Sequence, residues 1–254
     1  MRWIAGLVSI LLFPMLSFAQ APPNQTAQQG MIWLQGFSTL KFGNDSRWSH
    51  TLESQIRRAE FGATWQQFIF RGLTLYKHSD RVSYGGGYAF VETWPYGTFP
   101  AAGKFPEQRL FEQLSLNHRS WADNHRFDQR VRLEQRWVRS VDATGQPGPY
   151  SYTNRVRYLG GVTIPLNEGA DVWSLKKGDW IFYANDEIFF NFGRNVQNNT
   201  ADQNRAAAGL GYYYSPNTNA RVGYLYQYIQ KGNGFQFESN HVLTITLTRN
   251  ISFD

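Results

Sequence analysis

The residues best suited to chemistry lie in the run RFDQRVRLEQRWVR, from Arg126 to Arg139. Arg126, Asp128, Arg130, Arg132, Glu134 and Arg136 occupy its even positions, while Val131, Leu133 and Trp137 fall on odd ones. Successive side chains of a strand point to opposite faces, so this spacing gathers the ionisable groups on one side. Later runs add Arg155 and Arg157, then Glu187, Arg205 and Arg221. Guanidinium groups hold carboxylate or phosphate through two parallel hydrogen bonds, so a ring of them in a narrow passage selects small anionic solutes. The interleaved acids offer a second use, since Arg and Glu on adjacent strands can pair and fill the inside of a small barrel. From Arg126 to Arg157 seven Arg accompany three acids, Asp128, Glu134 and Asp142. The ladder therefore reads first as packing of a lumen and second as a filter.

Other constellations carry less. His118 and Ser120 share a face by spacing, and with Glu134 as orienter they would form the His-activated serine of an outer-membrane lipid hydrolase. Alternation, however, sets His118 with Leu114 and Leu116 and away from Gln113 and Ser115, and no paired-Gly or Asn oxyanion element flanks Ser120. The hydrolase stands as the alternative, and a non-enzymatic protein as the main reading. His50, His78, His125 and His241 are scattered singly and there is no Cys, so neither a metal site nor a cofactor is expected. NNTADQNR at 198–205 lacks the ordered acids of a calcium loop and reads as a solvated turn. Gly85-Gly86-Gly87 precedes no helix and marks a kink or close packing inside a strand.

The elements that must position these groups are strands. Eleven strand-like segments lie near 31–42, 46–57, 62–77, 81–94, 107–119, 125–139, 152–165, 179–192, 203–214, 219–230 and 239–252, separated by Gly, Pro, Asn and Asp clusters. Most exceed the mode of about 5 to 6 residues for globular strands and suit tilted membrane strands of about 9 to 11 residues with overhang. In several of them one face is apolar: Trp48, Leu52 and Ile56 oppose Arg47, Glu53, Gln55 and Arg57, and Leu243, Ile245, Leu247, Ile251 and Phe253 oppose Asn240, Thr244, Thr246, Thr248 and Asn250. Asp186 and Glu112 break the pattern by landing on apolar faces, which implies a bulge, a position at the membrane rim, or different strand limits. The mean hydropathy of -0.48 does not argue against a membrane, because alternating strands average to a polar value. The 17% aromatic content fits two interfacial girdles.

These patterns predict an all-β fold, an antiparallel up-and-down transmembrane β-barrel over 31–254. Bacterial single-chain barrels normally have an even strand number, so twelve strands are expected, with ten as the alternative. The long connections 94–107, 140–151 and 193–202 would lie outside the cell and the C-terminus in the periplasm, with the long 166–178 connection an exception. Met1 to Ala19 has the form of a cleaved signal peptide, with Arg2 before the apolar run Ile4 to Phe13 and a Ser17-Phe18-Ala19 cleavage site. A polar leader follows over 20–30. The expected place is the bacterial outer membrane, with its lipids and lipopolysaccharide as neighbours. The barrel-assembly machinery would read the terminal strand, which ends in Phe253 and then Asp254. The formal charge of +6 is modest and no compact basic tract appears, so nucleic acid is not an expected partner.

The ordered set Gly87-Tyr88, Glu107-x-Arg109 with Gln113 and His118, Arg132-Leu-Glu134-Gln135-Arg136, Arg155-x-Arg157-Tyr158, Asn185-x-Glu187-x-Phe189-Phe190, Asn204-Arg205 and Gly223-Tyr224 resembles the domain-of-unknown-function 2490 family of exported bacterial proteins. The resemblance covers most of the chain after the leader. It implies an outer-membrane barrel, and it carries no assigned activity and no catalytic residues.

Overall fold

The computed structural model describes residues 23–43, 45–119 and 124–253. The expected signal peptide, the first residues of the leader and Ser120 lie outside these. Eleven strands follow one another: β1 (Gln25–Phe42), β2 (Trp48–Ala59), β3 (Thr64–Lys77), β4 (Val82–Thr93), β5 (Phe105–Arg119), β6 (Arg126–Val141), β7 (Pro147–Pro165), β8 (Trp180–Phe192), β9 (Ala201–Ser215), β10 (Thr218–Gln230) and β11 (Gln236–Phe253). Each pairs antiparallel with its neighbours in sequence, and β1 pairs with β11 to close the barrel.

The expected count of twelve is corrected to eleven among the described residues. Even parity presumes that the first and last strands meet antiparallel. Here β1 and β11 run parallel, in register from Gln25 opposite Gln236 to Phe42 opposite Phe253. Parallel ladders are slightly weaker per residue than antiparallel ones. Length compensates, since both seam strands have 18 residues, whereas β2 has 12. The segment expected to start at residue 31 therefore starts at Gln25, and part of the expected polar leader is strand. Its first residues, Gln25, Thr26, Gln28 and Gln29 around Ala27, do not alternate clearly in hydropathy, and backbone pairing with β11 places them.

Calling the end where β1 begins the upper one, the connections 94–104, 142–146, 193–200 and 231–235 lie there, and 166–179 lies at the lower end with the last residue of β11. The long lower connection is a folded cap. Its Val172 and Leu175 pack against Ile181 and Tyr213 just inside the lower mouth. Arg119 and Asp171 form an ion pair at 3.1 Å across it.

The outer face carries exposed Leu34, Ile56, Phe70, Leu110, Val222, Leu243, Ile245 and Leu247. Aromatic pairs bound this band at both ends. Near the upper end are Trp137–Tyr152 and Tyr228–Phe237, with ring centroids 5.2 and 5.5 Å apart; near the lower end are Phe42–Phe253 and Trp48–Tyr76, at 5.2 and 5.0 Å. Asp186 and Glu112 do point outward, and neither a bulge nor a rim position accounts for them, since their registers with Ala206 and Leu133 are regular and each lies at the middle of its strand. An amide on the next strand meets each one. Asn204 Nδ2 donates to both Asp186 oxygens at 2.9 and 3.1 Å, and Gln135 Nε2 donates to Glu112 at 3.0 Å.

Candidate functional site: an arginine-lined lumen

The inside of the barrel has two unlike sides. Along the seam, Met31 and Trp33 of β1, Ala59 of β2, Leu225 of β10 and Val242 of β11 form an apolar cluster. Opposite it, β5 to β9 carry most of the ionisable groups, and Glu53 and Arg57 of β2, Arg71 of β3 and Glu238 of β11 add to them. Period-2 alternation produces both, because each strand turns one set of residues inward and the other outward.

Six charged side chains from four strands make one alternating chain. Asp202 accepts from Arg155 at 3.0 Å, Arg155 donates to Glu134 at 2.6 Å, and Arg157 bridges Glu134 at 2.7 Å to Glu187 at 2.8 Å. Arg130 closes it on Glu187 at 2.7 Å. Glu134 is 1% exposed, so the middle of this chain lies away from bulk water and its carboxylate depends on its guanidinium partners. A second knot lies higher, where Glu107 accepts from both Arg109 and Arg136 at 2.6 and 2.5 Å. Arg71 holds Glu53 at 2.6 Å.

The structure thus brings together Arg130, Glu134, Arg155, Arg157 and Glu187 from the ladder expected in sequence, and places Arg136 in the neighbouring knot. Arg126 and Asp128 pair with each other at 3.1 Å near the lower mouth, apart from the central chain. Arg139 faces the other way, against Tyr150. Arg132 and Arg205 are inside but make no ion pair among the described residues. Arg132 bonds Gln113 and lies over the Phe111 ring at 4.5 Å. Arg205 lies against the amides of Gln203 and Gln227 and over Trp33 and Phe189, at 5.1 and 4.8 Å.

The ladder read from the sequence did not include Glu53, Arg57, Arg71, Glu107 and Arg109, nor the aromatic platforms Trp33, Phe111 and Phe189. The alternation of β2 already set Glu53 and Arg57 opposite Leu52 and Ile56, so that signal was present. The platforms gave none, because an inward aromatic in a barrel strand looks like an outward one of the wrong parity.

Arg57 is central. It bonds Gln55 Oε1 at 2.7 and 3.0 Å and Gln67 Oε1 at 2.9 Å, and its guanidinium lies 3.7 Å from the Trp33 ring centroid. Its hydrogen-bond partners among the described residues are amides. Two cavities, of about 570 Å³ above and 440 Å³ below, share Arg57, Arg71, Arg157 and Arg205 in their linings, which makes these four the septum between them. Tyr96, from the β4–β5 connection, reaches into the upper cavity, packs on the Met31–Trp33 cluster and donates to Glu238 at 2.9 Å. Burial, with the Glu238 carboxylate adding to it, raises this phenol well above its ordinary range, so it keeps its proton and stays a donor.

The pairing of His118 with Glu134 that the hydrolase reading calls for does not form. His118 stacks on Phe127 with centroids 5.7 Å apart on the outward face, whereas Glu134 is bound by Arg155 and Arg157 inside the barrel.

The profile described as "Protein of unknown function (DUF2490)" matches residues 30–238. The chain belongs to the DUF2490 family. No curated protein matches this DUF2490 member in sequence. Among solved structures, the NanC porin is similar to it at 16% identity and a TM-score of 0.47, over 86% of this chain and 99% of that one.

Proposed function

We propose that this DUF2490 protein is a non-enzymatic outer-membrane barrel whose lumen admits small anionic solutes to a central arginine septum. The apolar outer band between two aromatic girdles supports the membrane placement, because tyrosine and tryptophan settle where hydrocarbon meets headgroups. Lipids and lipopolysaccharide are then its neighbours, and the barrel-assembly machinery inserts it.

One observation carries the anion reading. Arg57 and Arg205 share the Trp33 ring, line both cavities and make no ion pair among the described residues. Arginines that only filled the lumen would be matched by acids, as Arg155 and Arg157 are. Unmatched guanidinium groups inside a low-dielectric wall create a positive potential and donate two hydrogen bonds to an entering carboxylate or phosphate.

Planar bilayers test this. Across a potassium chloride gradient the reversal potential is expected to report anion preference, and replacing both residues (Arg57→Gln with Arg205→Gln) is expected to remove it. A cation-selective current, or selectivity indifferent to the double substitution, would reject the septum as the filter. No current at all, with no solute-dependent swelling of proteoliposomes, would make the barrel a closed one.

A further inference from the structure

Two carboxylates occupy the outer face at the middle of their strands. Asp186 is flanked outward by Ala184 and Ile188 and lies midway between the exposed Trp180 and Phe192 that end β8. Glu112 lies between exposed Leu110 and Leu114 in the middle of β5. Each receives hydrogen bonds from a single amide, leaving further acceptor capacity on its oxygens. An ionisable group at membrane depth is costly and marks a place where something other than hydrocarbon makes contact.

The outer surface around Asp186 is shaped as well as polar. A groove of about 640 Å³ runs over β7 to β9, its floor made of Gly160, Ala184, Ala206 and Ala208. Asp186 lies between its register partners Gly160 and Ala206 at one end of this floor. Beside the groove β10 raises a ridge, Tyr224 and Tyr226. The Tyr226 hydroxyl accepts from Ser239 at 3.0 Å, which leaves its own proton free to donate. On the opposite side of the barrel, the outer faces of β2 and β3 carry exposed Ile56 and Phe70.

We infer that this face binds a second copy of the chain, the tyrosine ridge of each protomer seated in the small-residue groove of the other, with Tyr226 donating to the partner's carboxylate at position 186. A concave strip next to a convex one is what a two-fold axis between them requires, since such an interface uses one patch twice. An acyl chain would fill the groove but would leave the remaining acceptor capacity of Asp186, beyond its bonds from Asn204, unused. The inference rests on the membrane placement proposed above, and heat-modifiable migration on gels reports that placement separately.

The Cys-free sequence makes the test direct. Wild-type protein in mild detergent is expected to scatter light as a dimer. Ala206→Cys in membranes is expected to form a dimer adduct with a short bis-maleimide, while Phe70→Cys, on the far side, is not. Ala206→Trp fills the groove and is expected to give a monomer that keeps heat-modifiable migration. A heat-modifiable wild-type monomer without the Ala206→Cys adduct, equal adducts from both cysteines, a lipid bound to a monomer in the groove, or an adduct to a different protein would each overturn the inference. Loss of heat-modifiable migration in the wild type would instead reject the barrel placement itself.

Discussion

At the scale of single residues, the lumen separates arginines that are neutralised from those that are not. Glu134 shows the first kind. It accepts from Arg155 and Arg157 at 1% exposure, so Glu134→Gln leaves two buried guanidinium groups short of a counter-charge. Breaking one side of a buried ion pair costs about 3 to 5 kcal/mol, more than most single substitutions. Glu134→Gln is therefore expected to lower stability by about 3 kcal/mol, read as the urea midpoint of tryptophan fluorescence in lipid vesicles. An unshifted midpoint would mean that the alternating chain contributes little to holding the wall. Arg57 shows the second kind: with amides as its hydrogen-bond partners among the described residues, its substitution by Gln leaves no carboxylate unpaired, so the effect should fall on ion selectivity and little on folding.

At the scale of elements, two departures from regular strand structure govern how much of the lumen is open. In β4, Gly87 faces inward, and a Cβ there would meet the backbone oxygen of Gly72 and the Phe111 ring. Phe111 is 2% exposed and supports Arg132, so the missing side chain at position 87 makes room for the platform. Gly87→Val is expected to lose about 1 to 3 kcal/mol through overpacking, measured in the same unfolding assay; wild-type stability would show that the wall yields instead. The β4–β5 connection is the other departure, because Tyr96 enters the upper cavity and is fixed by Glu238, which also pairs with Lys231. Tyr96→Ala removes the ring and its anchor, so single-channel current should rise. An unchanged current would show that the ring lies outside the path.

At the scale of the whole molecule, the closing seam is the most consequential feature. A chain of eleven strands that meanders antiparallel must bring its first and last strands together pointing the same way. The register sets outward-facing Ile32 opposite Leu243, which gives a test in a chain without cysteine. Ile32→Cys with Leu243→Cys is expected to form an intramolecular disulfide in the folded barrel. A twelfth strand between them would separate the pair by about two strand spacings of 4.7 to 4.9 Å, beyond disulfide reach, and free thiols in a heat-modifiable barrel would then refute the parallel seam.

The sequence by itself determined the faces. Which residues point inward follows from a period of two along a single strand, a local property, so the ladder from Arg126 to Arg136 and the apolar band opposite it could be read without any partner strand. It also marked eleven segments, one for each strand found. Only the tertiary structure decided how the barrel closes, that Gln25–Gln29 belong to β1, and that 166–179 folds into the lower mouth, because each depends on contacts between residues far apart in the chain. It also decided which arginines are matched. Glu134 meets Arg155 and Arg157, while Arg57 and Arg205 meet across Trp33 from different strands. Pairing across a lumen is set by strand register and barrel curvature, and neither is written in the spacing of any one segment.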